Sequence, residues 1–221
     1  MKLFFVTLSL LMLGACSSLN EVVYPDFVNL KPEYIIAWGY IEKSEYLPES
    51  EIECQKDRIC ISLDPPPLKL TIEVKGEVYG VIQSKFITAY TTSHYGLATY
   101  FEHVPYLFLL KSNGKDLIIP RYSVKEIAFD INENPTLPML SVNDTPSWLP
   151  CEISKLNREV EYNGADENVL HAIESFSLED LNTIKDFSSV SQYAVRVIRG
   201  IYLSDLKSYL ADKNMFSSCS S

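Results

Sequence analysis

Leu68-Lys69-Leu70-Thr71-Ile72-Glu73-Val74-Lys75-Gly76 is the stretch that decides the fold class. Apolar and polar side chains alternate through it without a break, and a β-strand is the element that sends every second side chain to one face. Leu68, Leu70, Ile72 and Val74 thus face a core, while Lys69, Thr71, Glu73 and Lys75 face water. The strand is led in by Asp64-Pro65-Pro66-Pro67, a stiff extended arm. Gly76 and Gly80 bracket Val78-Tyr79 and predict a bulge or bend.

Working outward, Tyr34 to Ile41 is apolar on both faces, with Ile36, Trp38 and Tyr40 on one and Ile35, Ala37 and Ile41 on the other. That is the pattern of a central strand. Ile82 to Tyr90 is a further strand. Val104 to Lys111 and Asp116 to Tyr122 flank Ser112-Asn113-Gly114-Lys115, where Asn-Gly supplies the two positive-φ positions of a type I′ turn, so a hairpin is expected. Val124 to Phe129 adds a last segment. Five or six such segments over residues 33–130 predict a small antiparallel barrel or sandwich.

Three features of this half resemble the netrin-module-like OB barrels: a strand carrying Trp38-Gly39-Tyr40, a long alternating strand from Leu68 closing on Gly76, and a segment leading to Pro105-Tyr106-Leu107-Phe108-Leu109. The resemblance covers residues 33–125 and implies an OB-like fold. The tissue inhibitors of metalloproteinases belong to that group and begin with Cys-x-Cys, whose free amine meets the protease zinc. Here the corresponding start is Cys16-Ser17-Ser18, so the inhibitory mechanism does not carry over.

Residues 131–150 carry Pro135, Pro138, Pro146 and Pro150 and read as an irregular connector. Beyond it, residues 151–221 read as helical. Val169, Leu170, Ile173 and Phe176 fall at helical spacing, and Ser177-Leu178-Glu179-Asp180 is an N-cap followed by Leu181 and Ile184. Ser189-Val190-Ser191-Gln192 matches a capping box ahead of Val190, Tyr193, Ala194, Val197 and Ile198, with Gly200 as the C′ residue. Ser204 caps a last helix bearing Leu206 and Leu210. The expected class is α+β: a small antiparallel β-barrel or sandwich followed by a C-terminal helical region.

The N-terminus points to a location. Lys2 precedes an apolar run from Leu3 to Leu13 interrupted only by Thr7 and Ser9. As a helix that run is about 16 Å long, half of what a bilayer core requires, so residues 1–15 read as a signal peptide. The string Leu13-Gly14-Ala15-Cys16 resembles the lipobox of bacterial lipoproteins. The resemblance implies cleavage before Cys16, diacylglycerol on its thiol and a further acyl chain on its amine. Two or three chains hold a protein to a bilayer where one would not. Ser17, rather than Asp, at the next position resembles the outer-membrane sorting signal of Gram-negative lipoproteins, which places the body in the periplasm; another bacterial membrane surface is the alternative. Residues 16–32 form a short, partly apolar lead through Val22, Val23, Tyr24, Phe27 and Val28.

The chain has 221 residues, 47% hydrophobic and 22% charged, which excludes a disordered polyampholyte and a multi-span membrane protein. Its net charge is −10, and loss of residues 1–15 removes only Lys2 from the basic side. No stretch clusters Lys and Arg, and the acidic balance repels phosphate backbones, so no nucleic-acid partner is expected. Besides Cys16 there are Cys54, Cys60, Cys151 and Cys219. An even count in an exported chain suggests disulfides, and of three possible pairings Cys54–Cys60 with Cys151–Cys219 is preferred. A four-thiolate zinc site is the rival, without a CxxC to support it.

Motifs for chemistry are scarce. His94 and His103 share an aromatic stretch with Glu102, but neighbours on a strand point to opposite faces and no HExxH occurs, so no metal site is read; His171 reads as structural or exposed. There is no GxSxG, Walker A or GxGxxG, and the two SxxK strings, Ser112 to Lys115 and Ser204 to Lys207, lack a KTG partner. No cofactor and no catalytic residue is assigned. Tyr90, Tyr95, Tyr100, Phe101 and Tyr106 cluster around a loop between β segments and form the candidate recognition surface, against the alternative that they pack the barrel. The function expected is a non-enzymatic, membrane-anchored envelope lipoprotein that binds a protein or glycan. An envelope hydrolase with an unrecognised site, or a periplasmic inhibitor or immunity protein, is the alternative.

Overall fold

A computed structural model describes residues 34–46, 67–92, 103–114, 116–120, 122–163 and 168–212. The fold is α+β: a closed five-stranded OB-like barrel, then a C-terminal part of small sheets ending in a helix.

The barrel consists of β1 (Tyr34–Tyr46), β2 (Pro67–Tyr79), β3 (Phe86–Thr92), β4 (Pro105–Ser112) and β5 (Leu117–Ile118). The pairing order is β1-β2-β3-β5-β4, and β1 also pairs with β4, which closes the ring. All contacts are antiparallel except β3 with β5, where Ala89 and Tyr90 run parallel to Leu117 and Ile118. Ile119 N–H donates to the Tyr90 carbonyl (2.8 Å) and the Thr91 hydroxyl donates to the Ile119 carbonyl (3.1 Å), extending this short closure. The alternation in β2 acts as expected: Leu68, Leu70 and Ile72 are buried and meet Ile41, Ala89, Phe108, Leu110 and Ile119 inside the barrel. β1 is central and pairs along both edges. Three register shifts against β2 let it coil around the barrel. The Trp38 indole lies across Gly76 of β2, where a Cβ would fall 2.3 Å from Nε1.

The hairpin between β4 and β5 is present, but its turn sits one residue later than Asn-Gly predicts. Asn113 N–H donates to the Asp116 carbonyl, so these two residues flank the loop, and Gly114 carries the positive φ (89°). Asn113 instead uses its side chain, Oδ1 accepting from Asp116 N–H at 2.7 Å.

After the barrel come β6 (Val124–Glu126), β7 (Ala128–Phe129), β8 (Pro135–Pro138), β9 (Arg158–Glu159), β10 (Leu170–Ala172), α1 (Leu178–Ile184), β11 (Ser188–Val190), β12 (Ala194–Val197), β13 (Arg199–Tyr202) and α2 (Leu203–Ala211). β6 adds to β4, β7-β8-β13-β9 form a second sheet, and β10-β12-β11 a third. The outer face of β1 and β4 is apolar because it is covered. Ile36, Leu107 and Leu109 pack with Leu137, Met139, Trp148, Ile153 and Ile201, and with Leu203, Leu206 and Leu210 of α2. This cluster joins the barrel to the C-terminal part, beside the barrel's own interior.

Two expectations for the second half are corrected. Residues 131–150 are not wholly irregular, since Pro135–Pro138 is a strand whose prolines stand at its two ends, where a missing N–H costs least. Within 151–221, Val190, Tyr193, Ala194, Val197 and Ile198 do not form a helix face. Ser188–Val190 pairs antiparallel with Ala194–Val197 around a turn in which Ser191 N–H donates to the Ala194 carbonyl. The β-branched residues decide it: Val195 and Val197 are buried between half-buried Ala194 and Arg196, a period of two. Val169 to Phe176, also read as helical, is β10 followed by a 3₁₀ turn. Gly200 is no helix terminator. It lies in β13, where a Cβ would meet the Tyr162 hydroxyl at 2.1 Å and the Leu137 carbonyl at 2.9 Å. The helix start predicted at Ser177 is found, with Ser177 and Asp180 making a reciprocal cap; the last helix is also found, but Ser204 is not its cap, since α2 begins at Leu203 with Tyr202 at the N-cap position and no side-chain cap.

Candidate functional site: the outer barrel face and the adjoining cleft

The polar half of the alternation builds the outer face of the barrel. Across β2 and β3 the register places Lys69 opposite Tyr90, Thr71 opposite Thr88, and Glu73 opposite Phe86. Ile118 of β5 stands beside Tyr90, and Tyr40, Lys43 and Glu45 extend the rows on β1. Phe86 is 50% exposed and Ile118 38%, with Tyr90 half-buried between them.

Charges on this face are consumed locally. Glu73 accepts from Lys75 (2.8 Å) and Lys85 (2.9 Å), and those two hydrogen bonds hold its carboxyl below the usual range. Lys43 meets Glu45 at 2.7 Å, and its hydrogen bond lowers the Glu45 pKa in the same way. The ammonium of Lys85 also lies 5.2 Å from the centre of the Phe86 ring. What the face offers a ligand is therefore apolar and hydroxylic: Phe86, Thr88, Tyr90 and Ile118.

Of the aromatic residues singled out from the sequence, the described Tyr90 and Tyr106 fall on opposite sides of the barrel sheet. Tyr90 points outward from β3, whereas Tyr106 is 2% exposed, on the inner side of β4, its ring 5.9 Å from that of Phe108. Tyr106 is thus a core residue rather than part of an open recognition surface, because its position in β4 shares the parity of Phe108 and Leu110. Tyr95, Tyr100 and Phe101 lie outside the described residues, as do Cys16, Cys54, Cys60, Cys219 and His94. Cys151 opens the 3₁₀ turn Cys151–Leu156. His103 has a left-handed backbone (φ 68°) just ahead of β4, and His171 meets the Phe176 ring edge-on at 6.1 Å. Among the described residues no three His, Cys, Asp or Glu side chains gather as a metal site, and no helix is long and apolar enough to cross a membrane.

A cleft of about 440 Å³ separates β6 from the C-terminal sheets. Leu137, Leu140 and Val197 contribute apolar walls, and Lys125, Asn168 and His171 polar ones. Asn168 donates to the Ile127 carbonyl at 3.0 Å, fixing one side of the cleft to the chain that leaves β6. The nearby Asp144 carboxylate is occupied by Leu140 N–H and Ser141 N–H.

Sequence reasoning missed Phe86, whose outward parity follows from continuing the β3 alternation back from Tyr90. It also missed Asp130, a carboxylate only 4% exposed. Its oxygens accept from Asn132 N–H (2.9 Å), Asn134 N–H (2.8 Å), the Asn134 amide (2.9 Å) and the Tyr202 hydroxyl (3.1 Å). Burial alone would raise its pKa, but these donors outweigh burial and hold it below the ordinary carboxylate value. The signal available was the spacing Asp130-x-Asn132-x-Asn134, typical of a side chain closing its own turn.

Comparison with family models, with curated proteins and with solved structures finds no match.

Proposed function

We propose that this chain is an envelope lipoprotein, lipidated on Cys16 and held to the outer membrane, whose periplasmic OB-like body binds a protein or glycan partner without chemistry of its own. The observation that carries the binding half is the outer face of β2, β3 and β5, where Phe86, Thr88, Tyr90 and Ile118 stay accessible while the neighbouring charges are paired. In OB barrels the face of the second and third strands is a common ligand platform for oligonucleotides and oligosaccharides. The net charge of −10 argues against the first of these. Aromatic rings flanked by threonine hydroxyls suit the flat apolar face and hydroxyl rim of a sugar, or an apolar patch on a protein. The anchoring half rests on Leu13-Gly14-Ala15-Cys16.

Both halves are testable in one strain. Cys16→Ala should move the protein from the membrane to the soluble fraction. A photo-cross-linking residue replacing Thr88 should yield a discrete adduct, or isolated cell-wall sacculi should co-sediment the protein, and the double substitution F86A/Y90A should abolish whichever is seen. If Cys16→Ala protein still pellets with membranes, the anchor is wrong. If F86A/Y90A leaves adduct and co-sedimentation unchanged, the face is wrong.

A further inference from the structure

β6 is the terminal strand of the barrel sheet, and its outer edge lines the cleft along all three of its residues. The hydrogen-bond phase of that edge is fixed. Leu109 N–H donates to the Ser123 carbonyl (2.9 Å) and Ile127 N–H to the Pro105 carbonyl (3.0 Å), with Leu107 opposite Lys125 between them. In an antiparallel ladder alternate residues turn their backbone groups inward, so Ser123, Lys125 and Ile127 serve β4. Val124 and Glu126 direct their N–H and C=O groups the other way, into the cleft.

We propose that the cleft binds an extended peptide, which adds a strand to β6 through the main-chain groups of Val124 and Glu126. The spacing of donors and acceptors along a strand edge matches another strand, whereas a sugar has no such two-residue repeat. Half-buried Leu140 offers an apolar contact to a side chain of the incoming strand, over a floor closed by the buried Leu137 and Val197, and Asn168 and His171 supply polar contacts at its margin. β6 is only three residues long, so it admits a single narrow strand and resists the broad sheet-to-sheet pairing that a long open edge invites. This surface is separate from the outer barrel face, and the inference stands whether or not that face binds anything.

The test uses the full chain in detergent. A pool of acetylated, amidated random heptapeptides is passed over the immobilised protein, and retained sequences are resynthesised and titrated by fluorescence anisotropy. Glu126→Pro removes an N–H that β4 does not use and should weaken binding about tenfold, the worth of one hydrogen bond; Glu126→Ala should change it less than about threefold. Independently of either variant, hydrogen exchange of the Val124 and Glu126 amides in the native protein should slow about tenfold with peptide bound, with Lys125 already protected by Leu107. The proposal is overturned if no sequence is retained, if retained peptides leave those two amides unprotected, or if Glu126→Ala abolishes binding as fully as Glu126→Pro. It is equally overturned if the amides are protected without peptide in a dimer that Glu126→Pro dissociates, which would make a second copy the occupant.

Discussion

Replacing Asp130 by Ala tests the best-connected polar group in the described structure. One carboxylate closes the turn between β7 and β8 through Asn132 and Asn134, and also reaches the Tyr202 hydroxyl at the junction of β13 and α2. Hydrogen bonds to a charged acceptor contribute about 1.5–3 kcal/mol each, but Asn132 and Asn134 are exposed and regain water when the acceptor is lost. The half-buried Tyr202 hydroxyl and the turn itself then carry most of the loss, which comes to about 3 kcal/mol, or roughly 6–12 °C in melting temperature for a domain of this size. The sign with pH follows from the depressed pKa. The folded state prefers the ionised form, so the contribution is complete above the unfolded pKa near 3.8 and disappears as pH falls through the lower folded value. Urea unfolding followed by circular dichroism should therefore show the full gap between native protein and Asp130→Ala at pH 7, and a narrowing gap below about pH 4. Asp130→Asn should fall between them, because its amide can offer only one acceptor oxygen. Equal stability of the native and Ala forms at pH 7, or a gap that does not change between pH 7 and pH 3, would refute the reasoning.

Two further outcomes follow from the same packing. Gly200→Ala should destabilise by about 1–3 kcal/mol in urea, since its Cβ would collide with the Tyr162 hydroxyl and the Leu137 carbonyl, and Tyr162→Phe in the same chain should recover part of that loss. Burial, and then the Glu152 carboxylate at 2.9 Å, push the Tyr209 hydroxyl up to about 12, so the late-ionising part of a spectrophotometric tyrosine titration should shrink in Tyr209→Phe. Because that pKa is raised on folding, the contribution of about 1 kcal/mol is present below pH 10 and lost as pH climbs toward 12; a Tyr209→Phe variant of unchanged stability at pH 8 would contradict it.

The barrel was legible because its pattern is short-range. Leu68, Leu70 and Ile72 declare both strand and core face from their own spacing, and the double-sided apolarity of Tyr34 to Ile41 declares a central strand before any partner is known. Where the reading slipped within the barrel, a single residue was at stake. Asn113-Gly114 marks a turn, but whether Asn113 enters the left-handed region or flanks the loop depends on which pair, Asn113–Asp116 or Ser112–Lys115, forms the closing hydrogen bond. That choice is set by the register of β4 on β5, with Lys111 opposite Ile118 and Ser112 opposite Leu117, which no local pattern carries.

The C-terminal half was less legible for a different reason. Val190, Tyr193, Ala194, Val197 and Ile198 satisfy a helical stripe and, equally, two short strands around Ser191, because segments of three or four residues are too brief to separate a period of two from one of 3.6. What breaks the tie is tertiary. Ile201 must reach the core above β1 and β4, Val197 the separate cluster with Ala128 and Val169, and Gly200 must lie flat against Leu137 and Tyr162. A helix through 190–199 would remove the pairing of β12 with both β10 and β11 that buries Val195 and Val197. The same non-locality hides the two candidate surfaces. The outer face is assembled from Phe86, Tyr90 and Ile118 on two strands joined in parallel, and the cleft from the edge of β6, from Leu137 and Leu140 of the following segment, and from Asn168, His171 and Val197, which return more than forty positions later. The tyrosine count drew attention to one loop, yet parity sends Tyr90 out and Tyr106 in. On a barrel, a cluster in sequence becomes a cluster in space only when its members share the side of the sheet as well as the neighbourhood.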